Sequence, residues 1–103
     1  MGAVFATADI GSNTVHLLVA DVTGTSIRRI VNESEWLNLG QIVSREGKIP
    51  RVASDRLLSV LTKYKNLSVA QGAKKVYVFA TEAMRVAQNH DDVLARIKSN
   101  TGI

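Results

Sequence analysis

The sequence predicts an α/β fold built on a mixed β-sheet, with its elements in the order β-β-β-α-β-α. Three features predict it: two apolar runs on either side of a glycine turn, a long amphipathic stretch in the middle, and a short apolar run after that stretch. Strands joined by short turns pair antiparallel, whereas a strand reached through a helix pairs in parallel. The composition, 46% apolar and 21% charged, is that of a folded globular domain.

The first three elements are predicted strands. In residues 3–10 apolar side chains fall on every second position, and residues 14–22 repeat this pattern after a Gly-Ser-Asn turn at residues 11–13. Both faces of these two strands are largely apolar, so we expect the sheet to be covered on both sides. The stretch from Ser26 to about Leu39 is more polar and forms a third strand at the edge of the sheet.

A long helix is predicted in the middle of the chain, after a loop. Residues 40–49 are predicted to be that loop because they contain both Gly40 and Gly47. Pro50 suits the first turn of a helix, and from there apolar residues recur at spacings of three and four, as in an amphipathic helix. Gly72 is placed to end that helix.

The remaining residues predict one strand and two helices. The apolar run at residues 75–80 follows the long helix, so we expect it to lie parallel to a strand of the same sheet. Thr81 is placed to cap the helix that follows, and Asn89 to cap a last helix that ends at Gly102.

This order of elements is the one with which a ribonuclease-H-like half-domain begins. Such a sheet usually gains a fifth strand after the last helix, and none follows Gly102. We therefore expect a chain that is truncated before its fifth strand. The unpaired strand edge and the uncovered apolar surface left in this way predict self-association, in the simplest case a homodimer.

Charge and composition exclude several classes of function. The net charge is +4, and the 13 Lys and Arg residues are spread along the chain without the basic stripe and interleaved aromatics of nucleic-acid modules. No apolar run reaches the roughly 20 residues that span a bilayer. The absence of cysteine excludes a disulfide framework and a thiolate zinc site. We expect a cytoplasmic protein that binds neither a specific nucleic acid nor a membrane.

The turn between the first two strands is the first candidate site. Backbone N–H groups in a glycine turn can converge on an anion, and Gly11 is followed by the side-chain donors Ser12, Asn13 and Thr14. The carboxylate of Asp9, at the strand end, can hold a hydrated Mg²⁺ that bridges phosphate oxygens. An ordinary hairpin turn explains the same residue types, so both interpretations stay open on the residues alone.

A second candidate site consists of Thr81, Arg85 and Asn89. Their spacing of four places them on one helix face, if the helix runs that far, at the carboxyl end of the sheet where open α/β sheets bind ligands. A helix N-terminus attracts phosphate, and an arginine can bind it with two parallel hydrogen bonds. Capping by Thr81 and Asn89, with a surface ion pair between Glu82 and Arg85, is the alternative.

Two segments resemble the signature motifs of one family. Residues 7–19, T-A-D-I-G-S-N-T-V-H-L-L-V, resemble the first phosphate motif of the exopolyphosphatase / guanosine pentaphosphate phosphohydrolase (Ppx/GppA) family. Residues 80–89, A-T-E-A-M-R-V-A-Q-N, resemble its second signature, A-T-x-A-x-R-x-A-x-N. Between them, Leu39-Gly40 and Gly47-Lys48-Ile49 fall where the family has Leu-Gly followed by Gly-x-Leu. Asn38 stands where many members have an arginine.

This resemblance implies a fold, an activity and a set of residue roles. The family belongs to the actin/sugar-kinase/Hsp70 superfamily of two ribonuclease-H-like domains, so residues 1–103 would be the N-terminal part of the first domain, with the second domain absent. Members of the family use Mg²⁺ to release terminal phosphate from inorganic polyphosphate or from guanosine pentaphosphate. By resemblance, Asp9 would serve the metal. The phosphate-binding residues would be Gly11, Ser12, Asn13, Thr14, Arg85 and Asn89.

The resemblance also implies that no catalytic residue lies in this chain. The family's general-base glutamate lies in a Ser-Gly-Glu-Glu pattern on the strand after the last helix, which would place it beyond Ile103. Because water attack on a phosphoryl group needs such a base, we expect this chain not to be catalytic alone. The alternatives are a kinase or ATPase of the same superfamily, and a polyanion-binding or interaction module without catalysis.

Overall fold

The computed structural model describes residues 2–80 and 82–102. Within that range the chain forms four strands and four helices, in the order β-β-β-α-α-β-α-α. The strands are β1 (Ala3–Ile10), β2 (Thr14–Thr23), β3 (Ser26–Trp36) and β4 (Val76–Ala80), and the helices are α1 (Leu39–Glu46), α2 (Arg51–Ala70), α3 (Glu82–Arg85) and α4 (His90–Thr101).

The strands form one mixed sheet in the order β3-β2-β1-β4. Both β1 and β3 lie antiparallel to β2, and β4 lies parallel to β1 with Ala80 opposite Ile10. Ile10 leads into the turn at residues 11–13, and Ala80 precedes the segment that carries α3. The parallel pairing therefore brings the two predicted site segments to the same end of the sheet, and the predicted mixed sheet of an α/β fold is confirmed.

One face of the sheet is buried under α2. The side chains of Ala8 on β1, Leu17 on β2 and Leu57 on α2 are completely buried in this layer. The α2 helix follows the extended residue Pro50 and is followed by Gly72 with φ of 91°, so both predicted ends are confirmed. In the part of the chain that the structure describes, no helix is long and apolar enough to cross a membrane.

The opposite face of the sheet is open, which corrects the prediction that both faces are covered. Phe5 on β1 is 47% exposed, and Tyr77 and Phe79 on β4 are 45% and 56% exposed. The reason lies in the topology, because the crossover from β3 to β4 places its long helix on one face only. Among the described residues, no second layer covers these three aromatic side chains.

A helix replaces the loop predicted at residues 40–49. The α1 helix spans Leu39–Glu46, and its anchoring side chains Leu39 and Val43 are buried one turn apart. Gly47 adopts φ of 76° and its N–H donates to Val43 O, a left-handed helix ending that favours glycine. The sequence therefore marked the end of this helix correctly, although it was interpreted as part of a loop.

The segment after β4 also differs from its prediction. Only one turn of helix forms, α3, so Arg85 and Asn89 do not share a helix face. Thr81, predicted to cap this helix, lies outside the described residues. The last helix, α4, matches its prediction, since Asn89 occupies the N-cap position and Gly102 ends the helix with φ of 73°. The side chain of Asn89, however, forms no capping hydrogen bond.

Candidate phosphate-binding site

The turn between β1 and β2 presents polar groups at the end of the sheet. Its backbone closes with the Gly11 N–H donating to Thr14 O at 2.9 Å. The side chains of Ser12 and Asn13 are exposed, and Thr14 is half-buried at the start of β2. Asp9 is exposed as well, opposite His16 in the β1–β2 pairing. These groups together form the first part of the candidate site.

The carbonyl groups of this turn are held by the residues that lead into α1. Asn13 O accepts hydrogen bonds from Leu37 N at 2.9 Å and from Asn38 N at 3.0 Å. Ser12 O accepts a hydrogen bond from Gly40 N at 2.8 Å. All peptide bonds described are trans, and in a trans peptide the C=O and the following N–H point in opposite directions. The N–H groups of Asn13 and Thr14 therefore point away from α1, where they can meet an anion.

Close backbone contact explains two of the residues at this corner. A Cβ on Gly40 would lie 2.9 Å from Ser12 Cβ, so a larger residue could not fit without displacing the turn. Asn38 adopts φ of 54°, a left-handed conformation that asparagine tolerates better than most residues. The backbone conformation thus gives a reason for an asparagine at position 38.

Arg85 supplies a cation near the second half of the candidate site. It is exposed at the end of α3 and forms no ion pair with any described residue. The α3 turn packs against α1, and its residue Met84 is buried. Because α3 is a single turn, its dipole adds little to anion binding, and the charge of Arg85 is the main attraction that this segment offers.

Asn89 faces the turn that follows α1. Its Oδ1 accepts from Ile49 N at 2.9 Å, and its Nδ2 donates to Ile49 O at 2.8 Å. Beside it, Gln88 N donates to Gly47 O at 3.0 Å. The predicted phosphate contact of Asn89 stays a prediction, and one Nδ2 hydrogen is left for it beyond the two bonds to Ile49.

The side chains near the turn would have to supply the ligands of the magnesium ion that the resemblance implies. Among the described residues, no group of three or more His, Cys, Asp or Glu side chains could hold a metal. Mg²⁺, however, is commonly bound by one or two carboxylates, by waters and by substrate phosphates. The single exposed carboxylate of Asp9, beside a turn with free N–H groups, is compatible with that mode of binding.

The candidate site lies at the molecular surface, where the side chains of Asp9, Ser12, Asn13 and Arg85 are exposed. A depression of about 460 Å³ lies at the opposite end of β1, bordered by Phe5, Lys74, Lys75 and Tyr77, and contains none of the predicted site residues.

The residues that sequence reasoning missed are Leu37, Asn38 and Gly40, which hold the turn, and Ile49, which binds Asn89. The only sequence signal for them was the Leu-Gly and Gly-x-Ile pattern, and that pattern did not indicate which residues they contact.

The fold and the site together define a class of protein. A sheet in the order β3-β2-β1-β4, with a polar glycine turn between β1 and β2, is the N-terminal part of a ribonuclease-H-like domain of the actin/sugar-kinase/Hsp70 type. The Ppx/GppA phosphatase family matches residues 18–103. The chain therefore belongs to the Ppx/GppA phosphatase family. The turn at Gly11 lies before this matched range.

Individual relatives agree with this assignment. Exopolyphosphatase 1 of Mycobacterium leprae is 38% identical over 96 residues, which cover 92% of this chain and 28% of the relative. Exopolyphosphatase 1 of Mycobacterium tuberculosis is 35% identical with the same coverage. The crystal structure of the Aquifex aeolicus Ppx/GppA family member superposes on all of this chain with a TM-score of 0.93 and 29% identity, over 34% of its own length. The chain thus spans about 28% of the curated relatives.

Proposed function

We propose that the intact protein is a phosphohydrolase that releases terminal phosphate from inorganic polyphosphate or from guanosine pentaphosphate. The observation that carries this proposal is the direction of the turn at residues 11–14. Its Asn13 and Thr14 N–H groups point away from α1, beside the exposed carboxylate of Asp9. The names of the mycobacterial relatives favour polyphosphate as the substrate class.

Each site residue has a chemical role in this proposal. The N–H groups of the turn and the side chains of Ser12, Asn13 and Thr14 donate to phosphate oxygens. Arg85 binds the same polyanion through charge-assisted hydrogen bonds, and Asn89 adds its remaining N–H. Asp9 holds a hydrated Mg²⁺, which when bound neutralises charge on the phosphate oxygens.

The same reasoning predicts that this chain binds phosphate without cleaving it. In-line attack needs a base that positions water, and the carboxylate of the described site, Asp9, is assigned to the metal in this proposal. We expect no phosphate release from polyphosphate by the 103-residue chain. Release by this chain that is abolished in Asn13→Ala would overturn the prediction.

The proposed function is tested in the intact protein with a matched pair of arginine variants. Arg85→Ala should weaken polyphosphate binding by roughly 10- to 100-fold, because a charge-assisted hydrogen bond is lost. It should also reduce the salt dependence of the affinity, since one cation fewer faces the polyanion. Arg29→Ala removes the same charge from β3, where Arg29 pairs with Ala20 far from the turn, and should leave the affinity nearly unchanged.

The outcomes separate the candidate functions. Phosphate release that requires Mg²⁺ and falls in Arg85→Ala but not in Arg29→Ala supports the proposal. Equal loss in both variants would contradict the site, because only general electrostatics would then be at work. Polyphosphate binding by the intact protein without release would favour the polyanion-binding module. Phosphoryl transfer from ATP to a second substrate would favour a kinase.

A further inference from the structure

We propose that α1 positions both parts of the phosphate-binding site, acting through backbone contacts at its two ends. The inference rests on the proposed function and deepens it, because it assigns positioning roles to Gly40, Ile49 and Asn89. Of these residues, only Asn89 was predicted from the sequence to belong to the site, as a phosphate ligand.

At its beginning, α1 holds the turn that carries the N–H donors. Gly40 N donates to Ser12 O at 2.8 Å, and the two residues before α1 donate to Asn13 O. The approach is so close that a Cβ on Gly40 would lie 2.9 Å from Ser12 Cβ. Any displacement of the first turn of α1 would therefore rotate the peptide groups whose N–H bonds face the anion.

At its end, α1 is bonded to the segment that follows Arg85. Gly47 O accepts from Gln88 N at 3.0 Å, and Ile49 exchanges two hydrogen bonds with the side chain of Asn89. Between Arg85 and Asn89 there is only a short non-helical connection. The hydrogen bonds to Gly47 and Ile49 therefore fix where the chain that carries Arg85 can lie.

The helix between these two ends is rigid and anchored in the core. Leu39 and Val43 are buried on one side of α1, and α3, whose residue Met84 is also buried, packs against the helix. Eight residues of α-helix span about 12 Å, a fixed separation that flexible loops would not provide.

A double-mutant cycle in the intact protein tests the first end of α1. Gly40→Ala should lower kcat/KM for phosphate release by roughly 10- to 100-fold, because the added methyl group displaces the turn. Ser12→Gly removes the atom that the methyl group meets, and it has its own cost through the lost hydroxyl. If the contact between the new methyl group and Ser12 causes the loss of activity, adding Gly40→Ala to Ser12→Gly should change kcat/KM by less than about 2-fold.

Gln41→Ala is the control for the first end, since Gln41 is the exposed neighbour of Gly40 on α1. It should leave kcat/KM unchanged. Thermal unfolding is measured in parallel, because alanine favours helix over glycine and so Gly40→Ala should lose activity without a matching loss of stability. Effects of Gly40→Ala that simply add to those of Ser12→Gly would overturn the proposal for this end.

A second cycle tests the other end of α1. If Asn89 acts by positioning Arg85, the loss of affinity caused by Arg85→Ala should largely disappear in an Asn89→Ala background. If Asn89 only donates to phosphate and does not position Arg85, the two losses should add, and that result would overturn the positioning role.

A separate measurement distinguishes failure of this inference from failure of the proposed function. An intact protein that releases no phosphate from either substrate contradicts the proposed function. The contacts of α1 can then still be read from the backbone amide resonances of Asn13 and Thr14. Gly40→Ala should shift both resonances, and Gln41→Ala should not. Unchanged resonances in Gly40→Ala would overturn the inference, whatever the activity of the protein.

Discussion

The side-chain amide of Asn89 forms two hydrogen bonds with the backbone of Ile49. Oδ1 accepts from the Ile49 N–H at 2.9 Å, and Nδ2 donates to the Ile49 carbonyl at 2.8 Å. Only asparagine, among side chains of this length, offers a donor and an acceptor in one plane for such a pair. The relationship explains why an asparagine occupies the N-cap position of α4 without capping it.

Asn89→Ala should therefore destabilise the fold. The substitution leaves the N–H and C=O of Ile49 without their partners, and Ile49 is buried. A loss of about 1–3 kcal/mol in the free energy of unfolding is expected, measured by urea denaturation. Asn66→Ala makes the same change at an exposed position of α2 and should be neutral or slightly stabilising, because alanine favours helix. Equal effects of the two variants would contradict the structural role of Asn89.

The sequence predicted the elements whose signals are local. The alternation in β1 and β2, and the spacing of apolar residues between Pro50 and Gly72, each specify their element without help from the rest of the chain. The α1 helix could not be predicted in this way. Gly40 weakens the helix locally, and Ser12, distant in sequence, leaves no room for a Cβ at this position. Only the folded chain reveals that requirement.

The candidate site, too, was predictable only where the signal is local. Glycine and polar residues at 11–14 indicated an anion-binding turn, and an ordinary turn would have looked the same. Whether such a turn can offer donors to an anion depends on the direction of its N–H groups. That direction is set by Leu37 and Asn38 through Asn13 O, a contact between segments that no periodicity or spacing in the sequence records. The contact of Asn89 with Ile49 escaped prediction for the same reason.

Tyr64→Phe should weaken the attachment of α2 to the sheet. Tyr64 is completely buried, and its hydroxyl donates to Val15 O on β2 at 2.9 Å. Its removal leaves a buried carbonyl short of one partner, so we expect a loss of about 1–2 kcal/mol in the free energy of unfolding, measured with denaturant. Tyr77→Phe removes a hydroxyl from a half-exposed side chain and should change it by less than about 0.5 kcal/mol.

The same tyrosine gives a prediction for alkaline pH. Burial, reinforced by the negative charges of Glu35 and Glu33, raises the pKa of Tyr64 to about 12. The unfolded chain releases this proton near the ordinary pKa of 10.0, so between these values the unfolded state binds fewer protons than the folded state. The stability that Tyr64 contributes is therefore complete below pH 10 and is lost as the pH rises toward 12.

This pH dependence can be measured from the absorbance of the tyrosinate ion during an alkaline titration. Tyr64→Phe should abolish the late step of the titration, and Tyr77→Phe should leave that step in place. An unchanged late step in Tyr64→Phe would contradict the assignment of the raised pKa to the buried phenol.

Arg96→Ala should loosen α4 from α2. The guanidinium of Arg96 donates to Ser54 Oγ, which is buried, and to Asp55 Oδ1 at 2.7 Å. We expect Tm to fall by roughly 4–8 °C, because a buried hydroxyl loses a charged partner and the two helices lose a link. Arg51 also contacts Asp55, with Nε 3.3 Å from Oδ1, but both side chains are exposed on α2. Arg51→Ala should therefore change Tm little.

Lowering the pH should reproduce part of the fall in Tm that we expect for Arg96→Ala. The hydrogen bond from Arg96 is the largest cause that lowers the pKa of Asp55, and the charge of Arg51 adds to it. The contribution of Asp55 to stability is therefore present above its ordinary pKa and is lost as the pH falls through the lowered value. The difference in Tm between the parent chain and Arg96→Ala should become smaller at acid pH. A difference that stays constant would mean that the lower Tm of Arg96→Ala comes from lost packing alone.

The open face of the sheet predicts self-association of the 103-residue chain. Phe5, Tyr77 and Phe79 lie on neighbouring strands of this face, and β4 has a free edge within the described part of the chain. Apolar surface and an unpaired edge both favour contact with a second copy, so sedimentation should show a dimer or larger species. Phe79→Ser should weaken that association, because it removes the most exposed of the three aromatic side chains from the patch. Val52→Ser changes an apolar residue that is 74% exposed on α2, away from this face, and should not affect association. A parent chain that sediments as a monomer at high concentration would show that the open face does not drive self-association.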